Sequence, residues 1–219
     1  MARGKFITLE GGEGGGKTTQ AELLAERLRK AGIDVVKTRE PGGTPRAEAI
    51  RNVLLSGKAK CFGALGEAVL FYAARESHLE LAIRPALANG AWVVCDRFSD
   101  STRAYQGAAG GLPISIIDIL DSAVVGATRP DLTVVFDLPP ELGLKRATDR
   151  KPKGEKAGSS DPEQDRFETM NVAFHQALRE EFLAIAKAEP ERCVVVDASR
   201  NMQLVADEVW SIVRKKFDL

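Results

Sequence analysis

The 219-residue chain is poor in the features that mark secreted, membrane-bound or nucleic-acid-coating proteins. Cysteine occurs three times, at Cys61, Cys95 and Cys193, too widely spaced for a zinc knuckle and odd in number, so buried or inert thiols in a reducing compartment are expected. No apolar run approaches the roughly 20 residues that a membrane-spanning helix needs. The first apolar stretch, Phe6-Ile7-Thr8-Leu9, follows Met1 too closely for a secretory leader, and a soluble, cytoplasmic protein is expected. Neither sign of charge is in excess, with 31 Lys+Arg against 31 Asp+Glu. No global field would draw in nucleic acid or an anionic membrane, so a bound polyanion must be held locally.

A hydrophobic content of 44% over this length supports one large domain, with two small ones as the alternative; residues 1–219 are expected to form one. Short Val/Ile/Leu-rich runs at Phe6–Leu9, Val35–Thr38, Trp92–Cys95, Leu132–Phe136 and Cys193–Val196 alternate with helical patterns. Those helices follow the first strand up to Gly32, then span about Ala47–Leu55, Leu65–Ala88, Ile114–Val125 and the start of one at Leu142–Ala147. Two more lie around Leu178–Ile185 and Val205–Val213. Strands this apolar imply an α/β fold of three layers, a five-stranded parallel sheet between helices. Between Arg150 and Pro162 the sequence holds prolines, glycines, serines and Lys151, Lys153 and Lys156 without apolar period, and a mobile lid is expected at about 149–166.

Between the first strand and its helix lies Gly11-Gly12-Glu13-Gly14-Gly15-Gly16-Lys17-Thr18, the Gly-x4-Gly-Lys-Ser/Thr spacing of a phosphate-binding loop. Glycines let successive backbone N–H groups converge on a phosphate chain, and the helix N-terminus adds partial positive charge. Gly11, Gly14, Gly15, Gly16, Lys17, Thr18 and Thr19 are therefore candidate ATP phosphate contacts, with Thr18 a candidate Mg²⁺ ligand. No Asn-Lys pair occurs, which removes the base-reading signature of a guanine-nucleotide switch, and the added basic or aromatic surfaces of DNA-dependent ATPases are missing. A small phosphotransferase of P-loop kinase fold is the leading class, with a non-catalytic nucleotide-binding module beside it.

Further stretches sharpen this. Thr38-Arg39-Glu40-Pro41-Gly42-Gly43-Thr44, Phe71-Tyr72-Ala73-Ala74-Arg75, Asp96-Arg97-Phe98 with Ser101 and Ala104-Tyr105-Gln106-Gly107, and Arg129-Pro130-Asp131-Leu132, in this order around the phosphate loop, closely resemble bacterial thymidylate kinases over nearly the whole chain. The resemblance implies ATP-dependent phosphorylation of dTMP to dTDP with Mg²⁺, in a homodimer. A kinase for another nucleoside monophosphate or a deoxynucleoside is the alternative.

Carried over residue by residue, the resemblance implies that Arg97 meets the acceptor phosphate and the transferred group, where a surface ion pair would be the plain alternative. It puts Asp96 on Mg²⁺, directly or through water. Arg51 matches an arginine on the dTMP phosphate, although as a sequence feature it reads equally as an exposed helical residue. Phe71 and Arg75 share a helix face, suiting a ring that stacks on thymine and a guanidinium that donates to a base carbonyl, unless Phe71 is simply core. Ser101 and Thr102 fall at the base edge, Tyr105 beneath the sugar, and Glu13 toward its 3′-hydroxyl or out to solvent. The phosphate loop has Gly14 where some relatives carry an arginine. The catalytic set is then Lys17 and Arg97, with the missing charge expected from the lid, Arg150 before Arg166, unless the lid is a solvated basic loop. Arg146 and Asp197-Ala198-Ser199 are candidates near adenine. Apolar residues on several faces of the long helix, Val69, Leu70, Leu79, Leu81 and Ile83, suit either a dimer contact or packing within one subunit.

Overall fold

The computed structural model describes residues 3–149, 167 and 169–219; the expected lid and its Arg150 and Arg166 fall outside these residues. Five parallel strands form one sheet in the order β2-β3-β1-β4-β5. They are β1 (Phe6–Gly11), β2 (Val35–Arg39), β3 (Trp92–Asp96), β4 (Leu132–Asp137) and β5 (Cys193–Asp197). The helices are α1 (Lys17–Lys30), α2 (Pro45–Leu55), α3 (Gly63–His78), α4 (Arg84–Ala88), α5 (Ser99–Thr102), α6 (Ile114–Val124), α7 (Pro140–Asp149), α8 (Val172–Ala188) and α9 (Met202–Phe217).

Side chains of a strand point alternately to the two faces of the sheet, and the core divides accordingly. Ile7, Leu9, Val94, Val134 and Phe136 pack with Leu24 and Leu28 of α1 and Val205, Val209 and Val213 of α9. Phe6, Val93 and Cys95 face the other way, onto Tyr72, Leu79, Ile83 and Ile117. Val135 and Cys193 meet Leu178, Phe182 and Ile185 of α8. The central strand β1 is buried along its length, whereas the edge strands β2 and β5 alternate between buried and more exposed positions. The switch in strand order falls beside β1, which places the crevice at the carboxyl ends of β1 and β3.

Three details depart from expectation. The long helix does not run uniformly: α3 passes through a π-helical stretch, Leu79–Ile83, before α4. Leu79 and Ile83 are fully buried within the subunit, so of the apolar residues singled out on this helix only Val69 and Leu81 stand exposed. The segment after β3 folds as α5 and a second π-helical stretch, Arg103–Ala108, which no apolar period foreshadows. Cys61 is exposed while Cys95 and Cys193 are buried.

What holds α5 against the sheet is an ion cluster. Arg192, which precedes β5, donates to both carboxylate oxygens of Asp100 at 2.7 and 2.9 Å and to the Thr133 hydroxyl at 2.8 Å. Thr133 is itself paired across the sheet with Thr8 at 2.8 Å. A buried carboxylate demands such a partner, because desolvation without one costs several kcal/mol.

Candidate active site

The phosphate loop joins β1 to α1 in the crevice. Gly14 has φ 71°, and a Cβ there would lie 2.2 Å from the Gly143 carbonyl of α7, so only glycine lets the loop pass this closely. Lys17 is folded back on the loop, its Nζ donating to the Gly12 carbonyl at 2.7 Å. Burial, reinforced by the nearby Arg97 charge, pushes its pKa down to about 8 against the pull of Glu13, Asp96 and Glu10. No side chain caps α1 and no acid lies in its first turn. Its leading N–H groups are thus suited to an anion. The Thr18 hydroxyl donates to Asp96 Oδ2 at 2.5 Å, and Asp96 Oδ1 is buried without a partner among the described residues. A hydroxyl beside a half-satisfied carboxylate is the oxygen donor set that a hard divalent cation takes alongside phosphates.

Across the crevice Arg97 follows β3 in a left-handed conformation, φ 69°, that is strained for a residue with a Cβ. Its own N–H donates to the Leu9 carbonyl at 3.0 Å, which keeps the turn tight against β1. The side chain then spans the site. Nη1 donates to the Gly11 carbonyl at 3.0 Å and to Ser101 Oγ at 3.1 Å; Nη2 donates to Glu13 Oε1 at 3.0 Å and to the Tyr105 hydroxyl at 2.8 Å. Tyr105 in turn donates to Glu13 at 2.5 Å. Burial alone would raise the Glu13 pKa, but the charges of Arg97 and Lys17 and the Tyr105 hydroxyl together hold it below its usual value. Glu13 is therefore an ionised part of the site and not a solvated loop acid.

The opposite wall of the cleft is built from α2, α3 and α5. Arg75 is 2% exposed, lies against the rings of Tyr72 and Phe98, and donates from Nε to Glu40 Oε2 at 2.8 Å and from Nη2 to Thr102 Oγ1 at 3.1 Å. Its Nη1 is buried without a partner among the described residues. Phe71, half-buried, lines the cleft with Arg75. Arg51 is 4% exposed, not the solvated helical residue its sequence allowed, and donates to the Pro41 carbonyl at 2.7 Å. Glu13, Gly14, Gly16, Lys17, Thr18, Thr19, Arg51, Phe71, Arg75, Asp96, Arg97, Ser101, Thr102 and Tyr105 thus border a single cavity of about 240 Å³. Gly11 and Gly15 belong to the same loop but not to this lining. At the far side, Arg146 donates to the Ala198 and Ser199 carbonyls at 2.7 and 2.9 Å, joining the candidates near adenine.

Several site residues carry no sequence signal of their own. Glu10, fully buried at the end of β1, accepts from the Phe98 N–H at 2.7 Å and from Ser101 Oγ at 2.5 Å, and burial next to Asp100 pushes its pKa up to about 8. His175 of α8 lies behind the loop in a cavity of about 20 Å³ shared with Gly11, Gly12 and Glu13, its Nε2 unpartnered. Glu40 lines the larger cavity and His78 stands behind it, outside the lining, with His78 Nδ1 meeting Glu40 Oε1 at 3.0 Å.

A loop shaped around one polyphosphate, opening into a cavity whose far wall carries cations and a ring, places the protein among the P-loop phosphotransferases. A family model described as thymidylate kinase matches residues 9–209. Thymidylate kinase of Rhodopseudomonas palustris is 53% identical over 213 residues, 97% of this chain and 89% of that protein. That of Nitrobacter hamburgensis is 49% identical over 216 residues, 99% of this chain and 90% of its relative. The crystal structure of thymidylate kinase from Ehrlichia chaffeensis superposes with a TM-score of 0.74 at 36% identity, covering 96% of this chain and 99% of the other. The chain belongs to the thymidylate kinase family.

Glu10 gives the site a pH signature. Its carboxyl rises from the usual 4.5 to about 8 on folding. Between these values the native state binds a proton that the unfolded state does not, so stability is lost as pH rises through this window. Relative to Glu10→Gln, the wild type is expected to lose about 3 kcal/mol of unfolding free energy between pH 5 and pH 8 in urea titrations. Parallel pH profiles for the two proteins would show that Glu10 does not titrate there.

Proposed function

We propose that the chain transfers the γ-phosphoryl group of ATP to the phosphate of dTMP, and that the cavity holds the acceptor with its phosphate at Arg97 and Arg51 and its base at Phe71 and Arg75. The observation that carries this is the pairing of cations near the phosphate loop with an unpartnered guanidinium nitrogen of Arg75 beside Phe71. A pyrimidine carbonyl satisfies that donor and the ring stacks on Phe71. Ser101 and Thr102 border the base edge. Tyr105 sits where its ring crowds a ribose 2′-hydroxyl, and ionised Glu13 accepts from the 3′-hydroxyl.

ATP phosphates bind the N–H groups of Gly11 to Thr19 and Lys17. An oxygen of the dTMP phosphate attacks the γ-phosphorus as the bond to the bridging oxygen breaks, releasing ADP and dTDP. The attacking oxygen is already anionic, so no general base is needed, and the site's work is to align two polyanions and offset their charge. Arg97, fixed by four hydrogen bonds, does this without reorganising. Lys17, its pKa pushed down to about 8 by burial, becomes fully cationic once phosphates adjoin it. Mg²⁺ would be held through Thr18 and Asp96 and would supply further charge neutralisation at the phosphates. The lid contributes the closing cation, Arg150, in this proposal.

For the quaternary state we propose a homodimer formed through α3 and α6. Phe62, just ahead of α3, and Leu65 and Val69 within it follow one another at helical spacing with 64, 49 and 46% exposure, and Ile119 on the neighbouring α6 is 69% exposed. A stripe of this kind is uncommon on a monomer surface. No helix among the described residues is long and apolar enough to cross a membrane. Light scattering at micromolar concentration is expected to give twice the chain mass, and Val69→Asp to shift it toward one; a wild-type monomer would remove the dimer.

The acceptor is checked by ADP release across a substrate panel. Because a methyl contact is worth roughly 1–3 kcal/mol, dUMP is expected to be about tenfold to two-hundredfold poorer than dTMP. dCMP, which offers a donor where thymine has an acceptor, should be rejected far more strongly. Turnover of dCMP or thymidine above that of dTMP would overturn the assignment.

A further inference from the structure

Arg75 is oriented in an unusual way. A side-on arginine–carboxylate fork joins Nε and Nη2 to the two oxygens of one carboxylate. Among the described residues that fork forms in Arg179 with Asp137 at 2.7 and 3.0 Å and in Arg192 with Glu189 at 2.7 and 3.0 Å. Arg75 and Glu40 do not. Nε takes Glu40 Oε2 at 2.8 Å, but Nη2 turns to Thr102 Oγ1 at 3.1 Å, and Glu40 Oε1 is occupied by His78 Nδ1 at 3.0 Å.

The His78 ring is itself pinned. It is fully buried, and its Nε2 lies 2.7 Å from the Thr38 hydroxyl. In the neutral ring, with Nδ1–H donating to Glu40, Nε2 accepts from Thr38, which fixes the tautomer. Room for this comes from Gly43 at φ 84°, where a Cβ would lie 2.5 Å from both His78 Nε2 and Thr38 Oγ1. The chain Thr38, His78, Glu40, Arg75, Thr102 therefore runs through the interior with one polar atom over, Arg75 Nη1.

We infer that His78 is a specificity-determining positioning residue: by occupying Glu40 Oε1 it keeps Arg75 out of the side-on fork, so that Nη2 stays on Thr102 and Nη1 remains the free donor for the base. Without the imidazole, Oε1 lacks a partner in a dry site and draws Nη2 to itself, as Asp137 does with Arg179. The guanidinium then pivots off Thr102, and the donor no longer meets the base carbonyl. His78 touches neither ligand; it acts through Glu40 and Arg75. The inference rests on Arg75 as the reader of the base.

Steady-state constants for dTMP and dCMP would be measured for the wild type, His78→Leu, His78→Asn, His78→Gln and Arg75→Gln, with melting curves for each. The Asn amide nitrogen falls near the ring Nδ1 position and reaches Glu40; the Gln amide nitrogen falls near Nε2 and reaches Thr38. His78→Leu and His78→Gln are expected to cut the dTMP-over-dCMP ratio of kcat/KM at least tenfold, mainly through KM for dTMP. His78→Asn should stay within about threefold of wild type. A merely structural histidine would lower the melting temperature and depress both substrates alike. If His78→Leu fails to fold, the contrast between Asn and Gln decides. A ratio unchanged in His78→Gln, or lost equally in Asn and Gln, overturns the role of His78 when Arg75→Gln has abolished selectivity. If Arg75→Gln also leaves the ratio unchanged, the base-reading assignment falls with it.

Discussion

The hydrogen bonds from Arg97 to the Gly11 carbonyl, Glu13, Ser101 and Tyr105 tie together parts of the chain that are distant in sequence. One guanidinium joins the end of β1, the phosphate loop, α5 and the π-helical stretch that carries Tyr105. Its left-handed backbone is tolerated because its own N–H closes onto the Leu9 carbonyl and the side chain has four partners waiting. A cation so held needs little rearrangement when negative charge develops beside it.

Buried ion clusters surround this centre. Glu10 supports Ser101 and the Phe98 N–H, Asp100 is held by Arg192, and Glu40 is shared between Arg75 and His78. Each would be costly alone in a low-dielectric interior, and each is nearly satisfied. Among the described residues Asp96 Oδ1 and Arg75 Nη1 are buried without a partner, and under the proposed function a metal-bound phosphate chain and a base would supply one to each. Stability and site geometry thus draw on the same side chains.

The sheet was readable in the sequence because central parallel strands need apolar residues on both faces, and each of the five runs supplied them. The phosphate loop was readable because glycine spacing and lysine position are dictated by backbone geometry. α5 and the stretch after it were not, since Ser99, Asp100, Thr102 and Gln106 are buried polar residues and leave no apolar period. Glu40 and His78 stayed hidden for a related reason: the partner that makes a buried charge sensible lies 35 or more residues away. Arg51 looked as much like a surface residue as a buried one, and its burial in the fold, with the Pro41 carbonyl as an acceptor, decides between them. The reach of Leu79 and Ile83 into the core was equally invisible, because helical periodicity cannot say which of two apolar faces the subunit itself covers.

If preorganised charge at Arg97 drives transfer, its loss must appear in the chemical step and not in ATP binding. Rapid-quench single turnover of ATP and dTMP by Arg97→Lys separates the two. Lysine keeps the charge but cannot reach Gly11, Glu13, Ser101 and Tyr105 together. Expected is a transfer rate reduced by roughly a thousandfold with ATP affinity nearly unchanged. A transfer rate within tenfold of the wild type would contradict the account.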